Sequence, residues 1–321
     1  MPAIHFGDRP ETVLVTGATG FIGQLLVPAL LADGHHVFIL SRDPKKAAWM
    51  FNNQVTCIAS MGEVPVTQAI DVMINLAGAR ILGRRWTAER KKVLRGSRIG
   101  LTQSLVKWIA GAQRKPRLLL SASAIGYYGI QRRDDHSALT ENSPPQPIFM
   151  SDLCREWEAA AGEASRYGVS VACMRFGLVL GRQGALPMMM LPIRLGIGGP
   201  LGGGRQYLSW IHVHDLLRAM AHLWKNNHEG VMAYNFTAPE TVTQAEFSRI
   251  AAGIVRRPSF MPTPGLPMRL VLGEQADLLL EGQRVVPERL TAEGFSFIYP
   301  DLHKALTSLY GAEQSPSNVG A

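Results

Sequence analysis

The stretch VLVTGATGFIG at residues 13–23 constrains this chain more than any other. An apolar, β-branched run passes directly into three glycines spaced three apart, and then into residues that suit a helix. Gly17 permits a tight turn, Gly20 lets backbone approach a pyrophosphate, and Gly23 lets the helix pack close to the strand; Thr19, Phe21 and Ile22 complete the loop. Such a unit needs a sheet to sit in. Runs at 36–41, 54–59, 71–76, 117–122 and 169–175 read as further strands, and the intervals 21–33, 43–51, 87–112 and 150–166 read as helices. That alternation builds a parallel sheet covered on both faces through right-handed crossovers. The fold expected is α/β: a Rossmann-like doubly wound parallel sheet with a smaller C-terminal mixed α/β substrate lobe.

The end of the second strand selects the cofactor. A carboxylate that bonds the adenosine ribose often stands there, but this chain presents Ser41 and Arg42, followed by Asp43. A guanidinium pairs with a 2′-phosphate through a planar fork, and a serine hydroxyl adds a hydrogen bond. NADP(H), as NADPH, is therefore favoured, with NAD as the alternative if Asp43 is the ribose acid displaced by one position. After the fourth strand, Leu76, Ala77, Gly78 and Ala79 are small enough at three of four positions for the cofactor to lie against backbone.

After Arg175 glycine and proline become dense, a strand-like run spans 207–213, and helical patterns follow from Asp215 and over 244–255. The division expected is an NADP-binding domain over 1–180 with a return segment at about 207–235, and a lobe from 181–206 and 236–311. Residues 312–321 have the composition of a flexible tail.

Composition narrows the function classes. The 321 residues carry a formal charge of +8, and seven Lys/Arg against one Glu fall between residues 84 and 98. That run reads as a solvated helix face or a contact for a phosphate-bearing ligand; no RNA-binding signature accompanies it. The chain opens without a signal-like apolar core and has no uncharged apolar run of about 18 residues, so no membrane partner is expected. Three cysteines without CxxC spacing suit a reducing, cytoplasmic setting.

TGATGFIG at 16–23, NLAG at 75–78, SASAIGYYG at 121–129, RFGLVLG at 175–181 and WIHVHD at 210–215 together resemble the extended short-chain dehydrogenase/reductase superfamily. The resemblance runs over nearly the whole length. RWT at 85–87, GGPLGGGRQYLSWIH at 198–212 and LEGQRVVPERL at 280–290 are similar, more narrowly, to YfcH-type "epimerase family" proteins with a C-terminal domain of unknown function. In the superfamily a Tyr exchanges the substrate proton, a Lys four residues later lowers its pKa, and a Ser orients the substrate oxygen. The resemblance places the Ser at Ser123, with Ser121 behind it. It places the Tyr and Lys at Phe149 and Leu153, which offer neither hydroxyl nor ammonium and would form an apolar wall beside the nicotinamide.

Three readings follow from that departure. Tyr127 or Tyr128 serves as the proton donor, helped by Arg155 or the cofactor's charge; or the ligand brings its own acid; or the protein is a non-catalytic NADP(H) sensor. Arg205, Gln206, Tyr207 and Trp210 are the expected substrate contacts, through charge and ring stacking. His212 and His214 have no third ligand cluster, so no metal is expected. Cys154 is either an activated thiol at a helix start or a buried small apolar group. The function expected is oxidoreductase or epimerase-like chemistry on a small polar, sugar-derived or phosphorylated substrate. The resemblance also implies a homodimer through the helices at 87–112 and 150–166.

Overall fold

The computed structural model describes residues 3–83, 85–132, 134–226, 228–259, 261 and 273–311; the expected tail at 312–321 lies outside them. Seven strands form one parallel sheet: β1 (Thr12–Thr16), β2 (His36–Leu40), β3 (Thr56–Ile58), β4 (Val72–Asn75), β5 (Leu118–Ala124), β6 (Ser170–Phe176) and β10 (Val231–Phe236). Their order is β10-β6-β5-β4-β1-β2-β3, so the chain reverses direction across the sheet between β1 and β4. That reversal opens the crevice at the carboxyl ends where a doubly wound sheet binds its ligand.

Strand alternation feeds two cores. Val13 and Val15 of β1 point to the side packed by Leu26, Val27 and Leu30 of α1 (Phe21–Ala32), while Leu14 points to the other side. There it joins Leu105, Trp108 and Ile109 of α4 (Leu101–Gly111). Coverage of both faces explains why the strands are near-continuous apolar runs. The helix expected over 87–112 consists of α3 (Ala88–Arg95) and α4, joined through a wide π turn at Gly96–Gly100. Two further helices close this half, α2 (Pro44–Met50) and α5 (Phe149–Gly162).

The strand-like run at 207–213 does not enter the main sheet. It divides into β8 (Tyr207–Leu208), paired with β11 (Val242–Thr243), and β9 (Trp210–His212), paired with β7 (Leu178–Leu180). The return is made instead by α7 (Val213–Lys225), which buries Leu216, Met220 and Trp224 against the main core, and by β10 beside β6. A separate core joins α6 (Leu186–Arg194), α8 (Gln244–Ile254), α11 (Leu302–Tyr310) and Trp210. Two short helices, α9 (Asp277–Leu280) and α10 (Glu288–Ala292), flank the segment that ties this lobe to the sheet. Among the described residues no helix is long and apolar enough to cross a membrane.

Candidate cofactor and active site

The glycine loop has the geometry its spacing demands. Gly17 sits at φ 71°, and a Cβ there would lie 2.7 Å from the Leu76 carbonyl carbon. At Gly23 a Cβ would lie 2.5 Å from Ala18 Cα, so the helix could not seat on the strand. Gly20 is different: its Cβ would meet only the Gly17 oxygen, at 3.2 Å, leaving its approach open. The first turn of α1 carries no acidic residue and Gly20 makes no side-chain cap, so the positive end of the helix is not neutralised from within. These features fit a pyrophosphate. Phe21 packs its ring on the turn at Gly181 and Gly184, Ile22 packs on the main core, and the Thr19 carbonyl accepts from Gln24. Phe21 and Ile22 therefore turn their side chains into the protein and leave backbone toward the site, while Thr19 stays exposed at the loop.

At the end of β2, Asp43 turns its carboxylate into α2 and accepts the Lys46 N–H at 3.0 Å. It is a helix cap. Ser41 exchanges hydrogen bonds with the Asp43 backbone at 3.1 and 3.2 Å, and Arg42 is exposed between them. The strand end thus presents the Arg42 guanidinium outward, while the Ser41 hydroxyl turns back onto the Asp43 backbone.

Below the loop that follows β4, Asn75 is a buried hub. Its carbonyl accepts from Thr16 Oγ1 at 2.7 Å and its amide donates to Thr102 Oγ1 at 2.8 Å. The Ala77 and Ala79 N–H groups donate inward to Thr16 and Ser97, at 3.2 and 3.1 Å. Leu76 packs on the main core, and Gly78 lies against the Arg98 guanidinium, 3.1 Å from where its Cβ would stand.

The region expected to carry catalysis is an ion-paired network. Ser123 Oγ donates to Glu158 at 2.6 Å, and Arg175 clamps Glu158 with two bonds of 2.8 Å. Burial opposes the Arg175 charge, but its bonds to Glu158 outweigh that and hold it above the ordinary guanidinium range. Arg175 also donates to the Tyr128 hydroxyl at 2.9 Å, which donates to Asn235 at 2.6 Å. Tyr128 is 1% exposed, and burial pushes its phenol up to about 12 despite Arg175. This corrects the assignment of Tyr128 as a proton donor: its hydrogen is committed and its anion is disfavoured. Tyr127, partly exposed, lies with its ring centroid 3.5 Å from the Arg175 guanidinium carbon. Its hydroxyl has no hydrogen-bond partner among the described residues.

Phe149 and Leu153 do not form one wall. Leu153 is buried at 1% exposure, whereas Phe149 packs edge-on to Trp86 and takes Lys91 over its ring at 4.7 Å. Arg155, the suggested helper of the tyrosines, pairs with Asp152 on the outer side of α5 at 2.8 Å. Cys154 is buried, and desolvation raises its thiol to about 12, so it is the packed group and not an activated thiol.

The four substrate residues also separate. Arg205 is exposed, and Tyr207 shares a 2.8 Å hydrogen bond with His136. Gln206 is buried and donates to the Leu201 carbonyl at 2.9 Å. Trp210, 1% exposed in the second core, has no face free for stacking, which corrects its assignment. His212 and Asp215 serve the lobe: Asp215 accepts the Ile298 and Tyr299 N–H groups at 3.0 and 2.7 Å, and His212 stacks on Tyr299. Sequence reasoning missed Glu158, Arg98, Asn235 and the segment 282–286. That segment pairs with the chain after β5 through Gln131–Gly282 and Leu139–Val285, and through Ser209 with Gln283. The motif at 280–290 was the only signal for it.

Residues 13–236 match the model of the NAD dependent epimerase/dehydratase family, and residues 263–309 match a domain of unknown function, DUF1731. The chain is 40% identical to the chloroplastic epimerase family protein SDR39U1 homolog of Arabidopsis thaliana, over 94% of this chain and 87% of that one. It is 38% identical to the epimerase family protein YfhF of Bacillus subtilis, over 92% and 97%. Among solved structures, human epimerase family protein SDR39U1 with NADPH superposes with a TM-score of 0.82 at 36% identity, covering 94% of this chain and 99% of that one. A nucleoside-diphosphate sugar epimerase from Corynebacterium glutamicum gives 0.73 at 27% identity, covering 96% and 59%. With its glycine loop, parallel sheet and C-terminal lobe in place, the chain belongs to the NAD dependent epimerase/dehydratase family, within the extended short-chain dehydrogenase/reductase superfamily.

Proposed function

We propose that the protein binds NADP(H) and acts as an epimerase-like oxidoreductase on a small polar, sugar-derived or phosphorylated substrate. The observation that carries the cofactor choice is the use of Asp43 as the α2 cap, which leaves the exposed Arg42 to meet a 2′-phosphate, with Ser41 beside it bracing the turn. The NADPH in the human relative's structure supports the same choice. Hydride transfer is the chemistry a bound nicotinamide supplies. The chain's part is to hold the cofactor through Gly17, Gly20 and Gly23, and to move one proton at the substrate oxygen. Tyr127 suits that step: it lies in the tight turn Ile125–Tyr128 that follows β5, its hydroxyl has no partner among the described residues, and Arg175 faces its ring. Free cysteines at 57, 154 and 173 suit a cytoplasmic setting.

A binding-only sensor is the second reading, favoured by the tie between Ser123 and Glu158 and by the apolar residues at 149 and 153. Titration of NADPH by fluorescence, followed by a scan of carbonyl substrates for loss of nicotinamide absorbance, separates the two. Turnover abolished by Tyr127→Phe with unchanged NADPH affinity supports the enzyme. Turnover that survives Tyr127→Phe removes Tyr127, and tight NADPH binding without turnover across the library leaves the sensor.

A further inference from the structure

Residues 282–286 enter no strand of the main sheet, yet other segments bond their backbone almost throughout. Gln131 donates its N–H to the Gly282 carbonyl at 3.3 Å and accepts the Arg284 N–H on its side-chain oxygen at 2.7 Å. Leu139 donates to the Arg284 carbonyl at 2.8 Å and accepts the Val286 N–H at 3.0 Å. Ser209, between β8 and β9, donates its hydroxyl to the Gln283 carbonyl at 2.7 Å and accepts the Val285 N–H at 2.9 Å. Asn235 of β10 donates to the Val286 carbonyl at 2.9 Å. The fit is close: a Cβ at Gly282 would lie 2.2 Å from the Tyr207 carbonyl oxygen. Backbone groups taken from water need partners, and side chains on three separate elements supply them here.

Two contacts of this strap reach the turn that carries Tyr127. The turn Ile125–Tyr128 ends at Gly129, whose N–H donates to the Gly126 carbonyl at 3.1 Å and whose own carbonyl accepts from the Gln283 side-chain amide. From the other side, the Asn235 that holds Val286 accepts the Tyr128 hydroxyl at 2.6 Å. The Tyr127 side chain makes no hydrogen bond among the described residues. Its ring is kept 3.5 Å from the Arg175 guanidinium carbon by that stacking and by the backbone of the turn, where Ser151 also donates to the Tyr127 carbonyl. A single short turn running into glycine has little stiffness of its own. We propose that Gln283 is a positioning residue: its amide fixes the Gly129 peptide and so keeps Tyr127 over Arg175 with its hydroxyl free for a ligand. A reacting side chain needs such support from residues that never touch the substrate. The strap lies within the residues that match a domain of unknown function, and this gives that domain a task in the site. The assignment rests on the proposed function insofar as Tyr127 moves the proton.

Fluorine NMR of the full chain labelled with fluorotyrosine tests this without a substrate. The chain has seven tyrosines, and Tyr127→Phe identifies the Tyr127 resonance by its loss. Gln283→Met keeps the length of the side chain and removes the donor, while Gln283→Glu keeps its shape and sets an acceptor against the Gly129 carbonyl. In both variants the Tyr127 resonance is expected to move toward its position in urea-unfolded protein, while those of Tyr234, Tyr299 and Tyr310 hold. An unmoved Tyr127 resonance in both overturns the proposal. So does a shift of all the tyrosine resonances together with a lowered melting temperature, since the strap would then be scaffold with no particular hold on Tyr127. Gln283→Glu decides if Gln283→Met fails to fold, and failure of both also reduces the strap to scaffold. The proposed function fails separately: turnover that survives Tyr127→Phe takes the proton from Tyr127, and the resonance still decides whether Gln283 sets the turn.

Discussion

Ser123 donates a 2.6 Å hydrogen bond to Glu158, and Glu158 in turn holds Arg175 through two bonds of 2.8 Å. The hydroxyl that ends β5 is therefore anchored to an ion pair whose side chains are 12% and 4% exposed. Removing one partner of such a pair strands the other charge in a dry environment, whereas removing both leaves only packing to repair.

Glu158→Ala is accordingly expected to destabilise the fold by about 3–5 kcal/mol. The pair replacement Glu158→Leu with Arg175→Met should cost less than Glu158→Ala. Urea unfolding midpoints of the three proteins check this, and a double variant as unstable as Glu158→Ala would show that the pair's charge is not what matters.

Arg42→Ala should weaken NADPH by roughly tenfold or more while leaving NADH nearly unchanged, because the charge-assisted contact is made only to the 2′-phosphate. Fluorescence titrations with both cofactors measure it. Equal losses would return the role to Asp43 or to the shared half of the molecule.

Gly23→Ala places a methyl 2.5 Å from Ala18 Cα, where only backbone movement relieves the contact. A cost of about 1–3 kcal/mol is expected, together with lost cofactor affinity as α1 shifts off β1. Gly20→Ala should cost less, about 1 kcal/mol, since its Cβ meets only the Gly17 oxygen at 3.2 Å and alanine is a poorer helix N-cap than glycine, yet still weaken NADPH. Thermal melts with and without NADPH separate the two substitutions.

His212 gives a pH dependence of known sign. Burial lowers its imidazole from 6.5 to about 4, although Asp215 pulls the other way. The folded protein thus binds this proton less readily than the unfolded chain does. Its contribution is fully present above about pH 6.5 and is lost as the pH falls from about 6.5 to about 4, up to about 3 kcal/mol. His212→Gln should flatten that part of the stability curve; an unchanged slope in urea titrations at each pH would remove His212 as its source.

Much of the molecule was written in the sequence. The six strands from Thr12 to Phe176 appear at the expected places, because buried parallel strands need unbroken apolar runs that helices between them interrupt. The glycine loop was legible for a similar reason: a positive φ at Gly17 and a close approach at Gly23 are demands a short segment makes on itself. Arg42 and Asp43 were visible together, but which of them faces outward was decided by the cap that Asp43 makes to Lys46. The strand β10, the fate of the 207–213 run and the burial of Trp210 and Tyr128 depended on what packs against them from elsewhere. Ser123 and Glu158 are 35 residues apart, and the segment at 282–286 meets Gln131 and Ser209 across far longer stretches of chain. Local pattern carries no record of such partners. The sequence by itself determined the parallel strands up to β6, the phosphate loop and the missing tyrosine and lysine; tertiary structure alone decided which hydroxyls are engaged and which carboxylate holds Arg175, because burial and charge pairing arise only when distant segments meet.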